Sequence, residues 1–257
     1  SPFTPGLRRH PAGWSEWSDA KTEALIRSSL ATALSDLGST SEAIVHREVA
    51  VAIMQGASDA DEYRMQLAIE YEKAKRFLEA EKEYRRCIDL RQTACNDAKG
   101  DVERQEAGER LADAENHLAY MYAEQRIELD EGQRLVERAL HRVRRERSPE
   151  AYGAMLDTRG WLRYLQGDFD GAVADLSDAI RIGRGQDATL DRHHLALAYE
   201  AIAATSQEEG KQHNLKLARL EWERIVELDP ESSSATVARD RLATSSLSGR
   251  DLKSKSA

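Results

Sequence analysis

The sequence predicts an all-α protein built from stacked helix pairs, and three observations carry that prediction. Small residues recur at fixed offsets in segments that begin at Ala24, Asp61, Ala112, Gly153 and Thr189. Apolar residues make up 40% of the 257 and charged residues 32%, with only five prolines, a helix-leaning composition with ample material for a buried core. No run of eighteen apolar residues occurs, so no segment reads as a membrane span.

The clearest unit starts at Gly153. In a 34-position frame it places Gly160 at 8, Gly167 at 15, Phe169 at 17, and Ala172 and Ala179 at 20 and 27. Close packing explains the pattern: places 8, 20 and 27 are where two antiparallel helices touch, and only Gly, Ala or Ser lets the backbones approach there. Gly167 then ends the first helix in a left-handed cap, and Asp168 caps the second. The same frame from Asp61 collects Leu67, Ala68, Tyr71, Phe77, Ala80 and Tyr84, with Cys87 in place of the second alanine. From Ala112 it collects Leu118, Ala119 and Tyr122, then needs one inserted residue before Gly132 and Ala139. From Thr189 it collects Leu195, Ala196 and Tyr199, about ten inserted residues, then Ala218, Trp222 and Leu228-Asp229-Pro230. The copy from Ala24 has Leu30, Ala31, Leu34, Gly38, Ala43 and Ala50, but Arg47 replaces the large apolar side chain of place 24.

These spacings resemble the tetratricopeptide repeat. Asn116-His117-Leu118-Ala119-Tyr120-Met121-Tyr122-Ala123-Glu124, followed by Leu129-Asp130-Glu131-Gly132 and the segment from Leu156, looks like a tandem common in bacterial proteins of that family. The resemblance spans roughly residues 24–243 and implies a right-handed α-α superhelix of about five helix pairs with a C-terminal capping helix. The expected organisation is a flexible segment over 1–17 and a solenoid over 18–244, with a flexible tail over 245–257. Its repeats fall near 24–57, 61–94, 112–147, 153–186 and 189–232, and the capping helix is 233–244. Residues 96–111 read as a helix extension, and Ser206 to Gly210 as a loop within the last pair.

The resemblance also implies a site. First helices of such stacks line a hollow, with places 5, 9 and 12 facing it. Place 5 holds Met65, Asn116, Asp157 and His193; place 9 holds Ile69, Tyr120, Trp161 and Leu197; place 12 includes Tyr164. These nine residues form the expected partner-binding groove, with Tyr120, Trp161 and Tyr164 as aromatic anchors. The family's carboxylate clamp is not expected, because its places hold Met65, Ile69, His117, Ala154 and Thr158.

Other functions are poorly served. A formal charge of −9 and a pI near 5.4 argue against nucleic acid as a partner. Cys87 and Cys95 stand eight residues apart on one predicted helix, roughly 12 Å and too far for a disulfide. Adjacent His193 and His194, with Asp191 upstream, diverge by about 100° on a helix and do not share a metal ion. No nucleophile elbow or Walker loop is present, and Gly183-Arg184-Gly185 lacks the strand-to-helix context of a phosphate loop. Arg138, Arg142 and Arg145 share one predicted helix face and read as a solvated back with Glu137 and Glu146 as neighbours. The expectation is a non-enzymatic interaction scaffold without cofactor, binding a protein or peptide. The alternative is a regulatory or assembly module cut from a longer chain with an upstream membrane anchor or enzyme domain. The first residues, Ser1-Pro2-Phe3, read as a processed or cut end; the cytoplasm is the expected compartment, with export or tethering left open.

Overall fold

The structure is a computed structural model that describes residues 16–182 and 188–254. Eleven helices and no strand are found among the described residues, and the chain divides between Asp97 and Ala98 into two compact units. The first unit holds α1 (Glu16–Asp36), α2 (Thr40–Ile53), α3 (Ala60–Lys73) and α4 (Phe77–Asp97). The second holds α5 (Asp101–Gln125), α6 (Leu129–Arg142), α7 (Pro149–Gln166), α8 (Phe169–Ile182), α9 (Ala188–Thr205), α10 (Glu208–Leu228) and α11 (Ser233–Ser254). Helices pair in sequence order, and the second helix of each pair packs on the first of the next within its unit. In the second unit α5 also touches α7, and α7 touches α9, so the first helices form a continuous layer. No helix among the described residues is long and apolar enough to cross a membrane.

The small residues sit where the spacing puts them. Ala31, Ala43, Ala50, Ala68, Ala80 and Cys87 are fully buried in the first unit, as are Ala119, Ala139, Ala172, Ala179 and Ala196 in the second. At Gly160 a Cβ atom would stand 2.7 Å from Leu176 Cγ and 3.3 Å from the Ala172 carbonyl oxygen, so α7 and α8 touch through a missing side chain. Gly167 ends α7 with φ +85°, a left-handed cap that only glycine adopts freely. Asp168 accepts a hydrogen bond from the Gly171 amide at 3.0 Å and so caps α8.

Ion pairs reinforce the pairs of helices. Asp175 of α8, buried, accepts from Arg159 at 2.6 and 2.7 Å and from Arg163 at 2.7 Å, both on α7. Arg64–Glu83 ties α3 to α4 and Arg192–Glu221 ties α9 to α10 in the same way. Arg47, the misfit at place 24, is buried and donates to Ser28 at 2.5 Å, to Thr32 at 2.9 Å and to Gln66. A polar nest thus replaces the usual apolar plug in the first pair, because a buried guanidinium must find acceptors.

Five details differ from the sequence expectation. The insertion in the last pair is helical: only Ser206-Gln207 separate α9 from α10, where Glu208 and Glu209 open the helix at its positive end. Helix α11 continues to Ser254, past the point at which the tail was expected. Helix α6 ends at Arg142, so Arg145 is not on it. Arg138, exposed, and Arg142, half-buried, are not merely solvated: each donates at 2.8 Å to Glu115, a fully buried carboxylate of α5. The expected extension over 96–111 divides between α4 and α5 around a break at 98–100. Residues 1–15, Gly183-Arg184-Gly185 and the last three residues lie outside the described residues.

Candidate functional site

The site is built on the α5–α7–α9 layer of the second unit. Asp157, Trp161 and Tyr164 stand at i, i+4 and i+7 on α7, so they share a face. The Trp161 ring lies parallel to Tyr164, with centroids 4.8 Å apart and planes 8° apart. It lies equally parallel to His194 of α9, at 4.4 Å and 10°. Its indole N–H donates to Glu124 of α5 at 3.0 Å, so one residue ties all three helices together. Trp161 is 8% exposed and Asp157 5%, and Asp157 Oδ1 is 2.9 Å from His194 Nδ1.

Burial sets the charge states here. Asp191, one turn before His194, is pushed up to about 7, first by desolvation and then by repulsion from Asp157. Burial pulls His193 down to about 4, and the neighbouring His194 and Arg241 add to that. Burial alone would also lower His194, but the Asp157 carboxylate overcomes it and holds the ring above its ordinary value. His193 packs edge-on against Trp222 at 5.1 Å, and its ring stands at 67° to that of His194. Trp222 donates at 2.9 Å to Glu200, which also accepts from Arg241 of α11 at 3.0 Å.

The predicted groove residues therefore fall into two groups. Asp157, Trp161 and, in the first unit, Met65 are taken up in the protein's own packing. Asn116, Tyr120, Tyr164, His193 and Leu197 are half-buried on the α5–α7–α9 layer, with Leu197 also resting on the α9–α10–α11 core; Ile69 is half-buried on α3 of the first unit. Asn116 Oδ1 and His193 Nδ1 are buried atoms with no hydrogen-bond partner among the described residues. The spacing argument missed His194, Asp191 and Glu124. The frame assigns His193 to the groove at place 5 but gives His194 no role beyond a rejected metal pair; an aromatic at place 9 that needs a ring from the next repeat is the signal that points to His194.

No protein-family model matches the chain, and no curated protein matches it. Solved structures do. The structure of BtubC (BKLC) from P. vanneervenii superimposes with a TM-score of 0.59 at 15% identity, covering 83% of this chain and 89% of that one. A Podosopora anserina kinesin light chain protein of nearly identical TPR-like repeats superimposes at 0.57 and 18% identity, covering 78% of this chain and 95% of that one. The fold is the tetratricopeptide-type α-α solenoid. At such identities the likeness speaks to fold alone.

Proposed function

We propose that this protein is a non-enzymatic scaffold that holds a peptide or partner domain on the α5–α7–α9 face of its second unit. The observation that carries the reading is the pair of buried polar atoms without a hydrogen-bond partner among the described residues, Asn116 Oδ1 on α5 and His193 Nδ1 on α9, the two helices that flank α7 with its Tyr164. A buried polar atom without a partner costs free energy, and a ligand backbone that supplies the missing bond recovers it. Tyr164 and Tyr120 are the anchors. Trp161 serves beneath them, holding Tyr164 in one orientation through the stack, which lowers the entropy lost on binding. Asp157 orients His194 rather than the ligand. Ile69 offers the corresponding position in the first unit.

The test is to identify a partner by affinity capture and then measure its binding to purified variants. Tyr164→Ala is expected to weaken binding about thirty-fold, the loss of a 2 kcal/mol anchor. Asn116→Ala is expected to weaken it less, and Arg219→Ala, an exposed change on α10, not at all. Circular dichroism must show unchanged helix content. Normal binding by folded Tyr164→Ala and Asn116→Ala would refute the assignment.

A further inference from the structure

A second surface of the same unit has a different chemistry. Where the chain departs from the 34-residue frame, the N-terminal extension of α5 faces the end of α6 and the connection to α7, enclosing a cleft of about 510 Å³. Arg104, Arg142, Arg144 and Arg147 line it with His141, and Asp101 is the one carboxylate on its wall. In a chain of net charge −9 this concentration of cations is local and opposite in sign.

The internal carboxylates leave part of that charge uncompensated. Glu115 takes Arg142, and Asp101 takes Arg104 at 3.0 Å in a pair so exposed that water screens it. Arg147 rests on the neutral Gln105 side chain, whose amide N–H is held by Glu109 at 3.0 Å, so that its oxygen is free to face the guanidinium. Arg144 is exposed and has no ion-pair partner among the described residues. The first turn of α5, with the positive end of a 25-residue helix, lies on the same wall.

We infer that this cleft is a docking site for a short acidic segment of a partner protein, recognised through its carboxylates or a phosphate group. Planar guanidinium forks match the paired oxygens of both groups. The volume suits a few side chains, within the ordinary range of binding clefts. A short segment also escapes the repulsion that a net charge of −9 exerts on a long polyanion, because that field is screened beyond about 8 Å in physiological salt. The site is separate from the α5–α7–α9 face: the extension that precedes the repeat at 112–147 forms one wall, and the end of α6 with the connection to α7 forms the other.

The experiment uses the full chain and fluorescence anisotropy with labelled probes of equal length. These are a glutamate-rich peptide, a peptide with one phosphoserine, an uncharged peptide of glutamine and serine, and a single-stranded oligonucleotide. The expected result is saturable, salt-sensitive binding of one or both acidic peptides and none of the uncharged one. Arg144→Glu with Arg147→Glu should weaken that binding by about tenfold or more, with helix content and melting temperature unchanged. Arg144→Gln with Arg147→Gln gives the same reading should the charge reversal unfold the chain. Three results would each overturn the inference: acidic peptides binding no better than the uncharged one, folded variants keeping full affinity, or the oligonucleotide binding in preference to both peptides.

Discussion

Replacing Gly160 by alanine asks whether α7 and α8 touch as closely as the structure has them. The new methyl group would meet Leu176 Cγ at 2.7 Å and Cδ2 at 3.0 Å, with the Ala172 carbonyl oxygen at 3.3 Å. Leu176 is fully buried, and its Cγ is a branch point rather than a flexible end, so the helices themselves must separate. Overpacking of this kind costs about 1–3 kcal/mol, and the gain in helix propensity from glycine to alanine returns about 1 kcal/mol. The contacts place the cost in the upper half of its range, leaving a net loss of about 1–2 kcal/mol. Gly108 is the internal control: it is buried in α5, helical, and a Cβ there meets nothing within 4 Å. Gly108→Ala should therefore stabilise by about 0.5–1 kcal/mol. Thermal melting followed by far-UV circular dichroism should show Gly160→Ala falling by about 3–6 °C and Gly108→Ala rising by about 1–4 °C. Equal stabilisation by both changes would show that the close approach at Gly160 is not real.

Two further perturbations test the interior of the second unit. Asp191 and His193 should give opposing pH dependences. With Asp191 raised from 3.8 to about 7, the folded state holds a proton that the unfolded state has lost, so its contribution is fully present below pH 4 and disappears as pH rises to 7. With His193 lowered from 6.5 to about 4, the unfolded state holds the extra proton, so its contribution is present above pH 6.5 and lost as pH falls to 4. His194, also raised, adds to the fall with rising pH, so urea denaturation between pH 4 and 7 should show stability falling more steeply with rising pH in His193→Gln, and less steeply in Asp191→Asn, than in the unchanged chain. Parallel profiles in the two variants would refute the assignment of these shifts. Glu115→Ala, which strips Arg138 and Arg142 of their buried acceptor, should cost about 2 kcal/mol. Arg134→Ala, which breaks an exposed pair with Glu131, should cost less than about 0.5 kcal/mol, and equal losses in urea would return those arginines to the solvated face first expected of them.

The sequence alone determined the helix pairs. Close contact between helices demands a small residue at particular offsets, and Ala31, Ala68, Ala119, Gly160 and Ala196 announce those contacts without any knowledge of distant partners. Gly167 and Asp168 announce a helix end in the same local way, and the i, i+4, i+7 spacing put Asp157, Trp161 and Tyr164 on one face. Whether those side chains meet a ligand or the protein itself was not a local question. His194 reaches Asp157 across 37 residues, Arg142 reaches Glu115 across 27, and Arg147 reaches Gln105 across 42. Each pairing depends on how one repeat stacks on the next and on where an insertion lengthens a helix. Local periodicity records which face of a helix is apolar, but a buried charge records its partner only in three dimensions. The tertiary structure therefore decided that Trp161 stacks between Tyr164 and His194, that Arg138 and Arg142 pair with Glu115, that Arg47 sits in a polar nest, and that the extension of α5 and the end of α6 enclose a basic cleft.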